Sequence, residues 1–484
     1  MEGLDGWFAL LAIVLTVAAV ASGVVDRSPI SYPIIFLGLG LLLGRTGIVR
    51  IDIHSPGLEA VATLSLALVL FLDAVRLDVN ELRADWRVSA LLLGPGTLLT
   101  IAGVAIFAHF LFGATLVQSL LLGAVLASTD PIVLRDILRD GRIPRAVRSA
   151  LRVEAGMNDV IVLPIILALI AIAQQEISGF GSWLLFGARL LALSPAVGLV
   201  VGGVGAWVMG RADARYSIRR EYQALYGLGL VLLAFVVAQA VGGDGFLAAF
   251  FAGLAVAIFD VSLCDCFLEY GEVTAEMTML LAFLLFGATL AGLLGSIPLL
   301  PALALALATI ILVRPLTQWL ILRGATLSRE ARLFIGWFGP RGLSSLLLAL
   351  LVVEANAPDA VPLFTIVGVV VLVSALAHGA TATPLATRYG EFVAHASVTP
   401  PEERSSAVAG LFAGEPDEAP RISVEELAQL LASKDPPLVL DVRTRGQYAQ
   451  DEGQIPGSVR VLPDQIQEWA STAARDRRVV AYCT

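Results

Sequence analysis

Charged residues are scarce in this chain of 484 residues. Asp, Glu, Lys and Arg make up 15% of it and hydrophobic residues 57%, whereas soluble domains carry roughly 25% charged residues. A water-soluble fold is therefore excluded for most of the chain, and the composition predicts an all-α polytopic membrane protein. The net charge of −9 indicates no nucleic-acid partner, because the basic residues are grouped by their position between hydrophobic segments.

Cysteine is nearly absent as well. Of three cysteines, Cys264 and Cys266 flank Asp265, and Cys483 is next to the last residue. This number and spacing exclude a disulfide framework. A lone Cys-x-Cys pair is a weak metal signal, so we interpret it as an ordinary loop segment. The sequence predicts no cofactor.

Long apolar runs recur through residues 1–395. A helix needs about 20 apolar residues to cross a bilayer, and the sequence predicts about thirteen such helices. They lie near residues 7–25, 32–49, 57–76, 88–112, 115–134, 148–173, 182–209, 222–241, 245–260, 274–294, 298–322, 331–353 and 361–386. The first follows an acidic stub instead of a basic leader region, which predicts a retained helix. A leader cleaved after Ala21 or Gly23 is the alternative that the sequence leaves open.

Arginine is distributed unevenly between the predicted loops. If every span crosses the membrane, the arginines at the span ends and in the loops, from Arg27 to Arg388, lie on one side, and only Arg45 and Arg50 lie on the other. Loops rich in Lys and Arg stay in the cytoplasm. We therefore predict a multi-pass protein of the cell (inner) membrane with its N-terminus outside and its C-terminus in the cytoplasm.

Two carboxylates lie inside predicted spans. Asp130 belongs to Ser128-Thr129-Asp130-Pro131, and Asp159 to Gly156-Met157-Asn158-Asp159. An ionisable group at membrane depth is costly, and it generally marks an ion or proton pathway. With a rise of 1.5 Å per residue, Asp159 lies roughly 16 Å from the cytoplasmic start of its helix. That depth is close to the middle of the bilayer.

Two of the predicted spans are interrupted. Pro131 removes a backbone hydrogen bond beside Asp130 and should break the helix there. Gly339-Pro340-Arg341-Gly342 interrupts a second span, with Arg341 roughly 15 Å from its cytoplasmic start. Interrupted helices in corresponding positions of two halves indicate the substrate site of a transporter. The sequence therefore predicts an ion transporter whose site lies at these breaks.

A set of motifs covers nearly the whole membrane region. They are Ser128-Thr129-Asp130-Pro131, Glu154 with Asn158-Asp159, Gly245-Phe246-Leu247-Ala248, Gly339-Pro340-Arg341-Gly342 and His378-Gly379-Ala380-Thr381. Together they resemble the sodium/proton exchanger branch of the monovalent cation:proton antiporters, the NhaP/NHE-like proteins. The resemblance implies an inverted-repeat fold with two interrupted crossing helices, a homodimer and an elevator-type movement of a core domain. The Asn-Asp pair resembles the branch associated with electroneutral exchange of one cation for one proton.

The resemblance also implies roles for individual residues. Asp159 would bind the cation or the proton, Asp130 and Thr129 would help to form the site for transported Na⁺, and Glu154 would form a structural ion pair with Arg341. An apolar surrounding favours a protonated carboxyl, whereas a bound cation favours the carboxylate. One site at Asp159 can therefore hold either ligand in turn.

Other polar residues of the membrane region receive weaker assignments. Asn158 supplies a neutral amide that can orient the site. For Asp73 the sequence leaves two readings open, a place in the ion site or a side chain that snorkels to the cytoplasmic surface. Arg314 and Arg189 are expected to be partners of acids or lipid headgroups. His378 is expected to pack or hydrogen bond, with pH sensing as the alternative.

The composition changes after residue 395. Residues 396–421 have the Pro-, Glu- and Ser-rich composition of a linker. The segment 422–484 resembles the first half of a rhodanese domain, through Leu440-Asp441-Val442-Arg443, residues 453–458 and Val480-Ala481-Tyr482-Cys483. Cys483 matches the sulfur-carrying cysteine, but Thr484 ends the sequence before the loop that would hold a persulfide. We therefore predict an antiporter domain (1–395), a linker and a partial rhodanese-like domain (422–484).

The protein is predicted to be a secondary antiporter that exchanges Na⁺, or else Li⁺ or K⁺, for H⁺. It is not predicted to be an enzyme. A K⁺/H⁺ antiporter would use the same mechanism with another cargo. A membrane-anchored sulfurtransferase would place its chemistry on Cys483, but an anchor needs no carboxylate in mid-membrane. A channel would need a continuous polar pore and no proton coupling.

Overall fold

The computed structural model describes most of the membrane region and parts of the tail. The described residues are 12–14, 16–17, 20, 32–77, 86–131, 134–140, 142–175, 177–259, 272–325, 327–395, 424–433, 436–443, 453–461, 469 and 478–482. Most of the predicted first span, the predicted linker and all three cysteines lie outside them. The chain forms two compact units, Met1–Ala413 and Gly414–Thr484.

The described residues of the first unit form helices and the segments that connect them, with no strand among them. Its helices are α1 (Tyr32–Arg45), α2 (Pro56–Val75), α3 (Trp86–Leu91), α4 (Thr97–Phe112), α5 (Leu116–Ala127), α6 (Arg135–Arg139), α7 (Arg145–Ala173), α8 (Phe180–Ala188), α9 (Ser194–Tyr216), α10 (Arg220–Ala240), α11 (Gly245–Phe259), α12 (Glu272–Leu293), α13 (Leu299–Leu307), α14 (Arg314–Ile321), α15 (Arg329–Trp337), α16 (Leu343–Glu354) and α17 (Ala360–His395). Short π-helical turns join α3 to α4, α8 to α9 and α13 to α14.

These helices match the predicted spans. Within the described residues, eight stretches are long and apolar enough to cross a membrane, and α1, α5, α11 and α16 are shorter apolar helices. Together they correspond one to one to the predicted spans from 32–49 onward. The polytopic helical fold is therefore confirmed.

Residues 86–173 and 299–395, which end the first and the second half of the unit, carry the same irregularities in the same order. A π-helical turn lies within the span 86–112, at Leu92–Gly96, and within the span 299–321, at Ala308–Val313. The next span of each half is broken, after α5 and between α15 and α16. The last span of each half, α7 or α17, contains an internal proline. This correspondence is the structural sign of an internal repeat.

Helix packing in the first unit is close. One large cluster of buried side chains runs through α2, α5, α11, α12, α16 and α17 and includes Phe71, Phe283 and Phe364. A second cluster surrounds α6 and α15 and includes Phe334 and Phe338. Because lipid is as apolar as these side chains, packing and polar contacts must hold the helices together. Polar contacts between helices are therefore informative about the site.

Among its described residues, the second unit has a parallel sheet of three strands and a short helix, α18 (Val424–Leu431). The strands are β1 (Leu438–Asp441), β2 (Val459–Arg460) and β3 (Val479–Tyr482), in the order β2-β1-β3. At the end of β1, Arg443 forms a buried ion pair of 2.6 Å with Asp441. The hydrogen-bonded Arg443 guanidinium holds the pKa of Asp441 well below its usual range.

Candidate ion-binding site

The two helix breaks meet inside the first unit. The backbone N–H of Asp130 donates to the carbonyl of Pro340 at 2.9 Å. Nη1 of Arg341 donates to the carbonyl oxygens of Ala127 and Ser128, each at 2.9 Å. Ala127 is the last residue of α5, whose final carbonyls have no helical donor and carry the negative end of the helix dipole. Arg341 therefore satisfies and neutralises this helix end.

Asp130 has the complementary role at the start of α16. Its Oδ2 accepts a hydrogen bond of 2.8 Å from the N–H of Leu343, the first residue of that helix. A carboxylate is favourable there because the N-terminal end of a helix is positive. Gly342 lies directly against the carboxylate, where a Cβ atom would overlap Oδ2. The glycine is therefore required by the close approach of Asp130, which caps α16 with one of its oxygens.

Glu154 forms its ion pair with Arg314. Nη1 and Nη2 of Arg314 donate to the two carboxylate oxygens at 2.6 and 3.0 Å, and Gln318 Nε2 donates to the same carboxylate at 3.1 Å. The predicted pair of Glu154 with Arg341 is wrong, since Arg341 points its guanidinium at the end of α5. The packing of α14 against α15 brings Arg314, instead of Arg341, within reach of Glu154.

Arg314 also holds the end of α15. Its Nη2 donates to the carbonyl of Phe338 at 2.9 Å, and its side chain occupies the space where a Cβ of Gly339 would lie. The expectation that Arg314 is the partner of an acid is met by Glu154. The position of Arg314 within a long apolar span was the sequence signal for that expectation. Through these contacts Arg314 links α7, α14 and the break after α15.

Asn158 and Asp159 lie against the end of α5. Asp159 Oδ1 accepts a hydrogen bond of 2.6 Å from Ser128 Oγ. Asn158 Nδ2 donates to Ala127 O at 3.2 Å and to Thr129 Oγ1 at 2.7 Å. Both side chains are at most 2% exposed. Within the described part of the chain, Asp159 Oδ2 and Asn158 Oδ1 are buried oxygens that have no partner at hydrogen-bond distance, which is unusual for native proteins. The side chain of Ser344, near the start of α16, also interacts with the Asp159 carboxylate.

A third carboxylate faces this place from another helix. Asp73 of α2 is 5% exposed, and it interacts electrostatically with Asp159 and Asp130. On α7, Gly156 is the residue opposite, where a Cβ atom would lie 3.9 Å from the Cβ of Asp73. Of the two readings of Asp73, this burial favours a place beside the ion site over snorkelling.

The chemistry of the donors suits a hard monovalent cation. Asp159 contacts Ser128, and Asn158 contacts Ala127 and Thr129, so carboxylate, amide, hydroxyl and backbone oxygens are grouped at the end of α5. Hard cations prefer such oxygen ligands. In the described ranges no three His, Cys, Asp or Glu side chains are grouped as a metal centre. One carboxylate balances the single positive charge of a cation or a proton, and the neutral oxygens around it can serve as further ligands of the cation.

Several hydroxyls at the site had no sequence prediction of their own, among them those of Ser128, Ser345 and Ser374. Ser128 donates to Asp159, and Ser374 Oγ accepts the backbone N–H of Arg341 at 2.8 Å. Ser128 stands in the motif of Asp130, which is a usable signal. Ser374 is signalled only by its position four residues before His378 on a helix, where side chains become neighbours.

Comparison with protein families agrees with this geometry. The model described as "Sodium/hydrogen exchanger, transmembrane" matches residues 11–388. This chain belongs to the sodium/hydrogen exchanger family. It is a multi-pass membrane transporter that exchanges cations and protons. A rhodanese-like domain model matches residues 423–484, as the sequence predicted for the tail.

Individual relatives are similar across the membrane region. The K⁺/H⁺ antiporter NhaP of Alkalimonas amylolytica is 26% identical over 389 residues, covering 80% of this chain and 67% of that protein. The K⁺/H⁺ antiporter NhaP2 of Shewanella sp. (strain MR-4) is 28% identical over 393 residues, with the same two coverages of 80% and 67%. The solved sodium proton antiporter MjNhaP1 from Methanocaldococcus jannaschii has a TM-score of 0.67 at 20% identity, covering 80% of this chain and 99% of that chain. That likeness confirms the antiporter fold.

Proposed function

We propose that this exchanger carries one Na⁺ in exchange for one H⁺, with both ligands bound in turn at Asp159. The observation that carries the proposal is the pair of buried, unpartnered oxygens, Oδ2 of Asp159 and Oδ1 of Asn158, beside the hydroxyl of Thr129. K⁺ is the alternative cargo, supported by the names of the NhaP relatives. The protein acts as a homodimer in the cell membrane, with the C-terminal unit in the cytoplasm.

Competition for one carboxylate accounts for the exchange. Either ligand neutralises Asp159, and an empty, charged site is too costly to move through an apolar barrier. Only the loaded site changes sides, so each inward cation is matched by an outward proton. Asp130 and Arg341 compensate the two helix ends at the crossing. Asp159 is then the group whose charge changes during the cycle.

The polar contacts support movement of the site as one body. Arg341 joins the break after α15 to α5, Asp130 joins α5 to α16, and the pair Glu154–Arg314 joins α7 to α14. These links connect the helices that carry the site, whereas Asp73 approaches from α2. An elevator-type displacement of the linked helices past α2 would expose Asp159 to the two sides alternately.

Reconstituted vesicles test the proposal directly. With an imposed proton gradient, we expect Na⁺ to collapse the gradient in the presence of the protein and with no change in membrane potential. Parallel assays with Li⁺ and K⁺ rank the cargo. Larger rates with K⁺ than with Na⁺ would establish the alternative cargo. A cation flux that is independent of the proton gradient would indicate a channel and overturn the antiport mechanism.

The pH dependence of transport follows from the competition. At acid pH protons occupy Asp159, so the exchange rate falls, and more cation is needed to displace them. For exchange of one cation for one proton, a tenfold increase in cation concentration should move the acid limb by about one pH unit to lower pH. The measurement is the rate against pH at two Na⁺ concentrations. An acid limb that stays in place would contradict binding of both ligands at one carboxylate.

The C-terminal unit is expected to be dispensable for exchange. The residues of the proposed site all precede residue 395, so deleting residues 396–484 should leave the transport rate per inserted molecule unchanged within about twofold. A factor of about two corresponds to the roughly 0.5 kcal/mol that surface changes cause. Cys483→Ser in the full chain is the matched control for sulfur chemistry, and it should also transport normally. Loss of exchange in correctly inserted, truncated protein would make the tail part of the transporter.

A further inference from the structure

Two residues of α17 hold the break that carries Arg341. Ser374 and His378 are buried, at 0% and 1% exposure, and they lie one turn apart on the helix. Their side chains point at the segment 337–341, where the backbone is not helical after α15 ends. Backbone groups in such a buried break need partners from other elements. Contacts from α17 therefore decide where this segment lies.

Ser374 contacts the break at its centre. Its Oγ accepts the backbone N–H of Arg341 at 2.8 Å. The same Oγ lies 3.1 Å from His378 Nδ1, which is also 2.8 Å from the carbonyl oxygen of Ser374. The imidazole thus fixes the side chain of Ser374 against the backbone of Arg341.

His378 contacts the break at its beginning. Its Nε2 lies 3.0 Å from the carbonyl oxygen of Trp337, the last residue of α15. In the tautomer with its proton on Nε2, His378 donates to this carbonyl and Nδ1 accepts the hydroxyl proton of Ser374. This carbonyl belongs to a helix end that has no further helical donor. One turn later, Thr381 Oγ1 accepts the indole N–H of Trp337 at 3.0 Å. Side chains of α17 therefore contact the break on both sides of Phe338 and Gly339.

We propose that His378 is a positioning residue for the ion site. Together with Ser374 it fixes the backbone from Trp337 to Arg341, so that the Arg341 guanidinium reaches the carbonyls of Ala127 and Ser128. Ser128 is also the hydrogen-bond donor to Asp159, and Ala127 accepts from Asn158. A displaced Arg341 would disturb both neighbours of the ion. The consequence for transport rests on the proposed function, while the consequence for the break does not.

Hydrogen exchange of the break tests the positioning itself. In full-length protein we expect the peptide 338–343 to exchange at least about fivefold faster in His378→Leu and in Ser374→Ala, because each loses a hydrogen bond that holds it. His378→Gln should restore slow hydrogen exchange of this peptide, since a carboxamide can both donate and accept hydrogen bonds. Thr365→Val is the matched control, because this buried hydroxyl of α17 bonds only to Val361 O of its own helix.

Transport by the same variants tests the link to the site. We expect the Na⁺ concentration for half-maximal exchange to rise about fivefold in His378→Leu and Ser374→Ala, with a smaller change in maximal rate, and to return towards the wild-type value in His378→Gln. The inference would be overturned if the hydrogen-exchange rate of residues 338–343 were unchanged in His378→Leu. It would also be overturned if the Gln and Leu variants required the same increase in Na⁺ concentration. Wild-type vesicles without cation–proton exchange would reject the proposed function alone, because the hydrogen-exchange arm still decides the positioning.

Discussion

Asp159→Asn is expected to reduce cation-driven proton movement to the level of protein-free vesicles. Asn keeps the size of the side chain and can still bond to Ser128, but it can neither release a proton nor offer a charge to a cation. Neither ligand can then be exchanged for the other, so both directions of transport should fail. The measurement is proton movement in vesicles after addition of Na⁺, Li⁺ or K⁺.

The control for this variant makes the same chemical change away from the site. Asp52 accepts the backbone N–H of His54 at 2.9 Å in an exposed loop, so Asp52→Asn should keep the wild-type rate. Insertion and thermal stability of both variants should match the wild type. Sodium-driven proton movement in folded Asp159→Asn protein would remove Asp159 from its assigned role.

Arg314→Met is expected to cause the largest loss of stability among the charged residues of the core. Glu154 and Arg314 are 5% and 2% exposed, and loss of the guanidinium leaves the carboxylate without its counter-charge. Breaking a buried pair in this way costs about 3–5 kcal/mol of unfolding free energy. The double variant Glu154→Gln/Arg314→Met should recover most of that loss, because it leaves no uncompensated charge.

A second cycle separates Arg314 from Arg341. Glu154→Gln combined with Arg341→Met should show a much smaller coupling energy, since Arg341 donates to the carbonyls of Ala127 and Ser128 instead of to Glu154. Residues that share no contact are nearly additive. Thermal and denaturant unfolding in detergent provide both cycles. Equal coupling of Glu154 to the two arginines would refute the selective pair with Arg314.

Local sequence was sufficient for much of the architecture. The apolar runs predicted the spans because a bilayer demands helices of a minimum length. Pro131 and Gly339-Pro340 predicted the two breaks because proline cannot continue the helical hydrogen bonds. Ser128-Thr129-Asp130 and Asn158-Asp159 indicated the ion site that we propose, because carboxylates are rare at that depth. All of these signals lie within a few residues of the feature they predict.

The partners of the buried charges were decided by the tertiary structure. The sequence paired Glu154 with Arg341, and for Arg314 it predicted an unspecified acid or a lipid headgroup as the partner. The crossing of α5 with the break after α15 directs Arg341 to Ala127 and Ser128, which leaves Arg314 for Glu154.

The same limit applies to Asp73, Ser374 and His378. The sequence places each of them on a membrane helix, but their contacts lie on helices distant in the chain: Gly156 of α7 faces Asp73, and the break at Trp337 and Arg341 faces α17. Sequence by itself therefore determined which groups are charged or polar, how deep they lie and where the helices break. Only the tertiary structure decided which of them meet, because hydrogen bonds and ion pairs depend on distances of about 3 Å that helix packing sets.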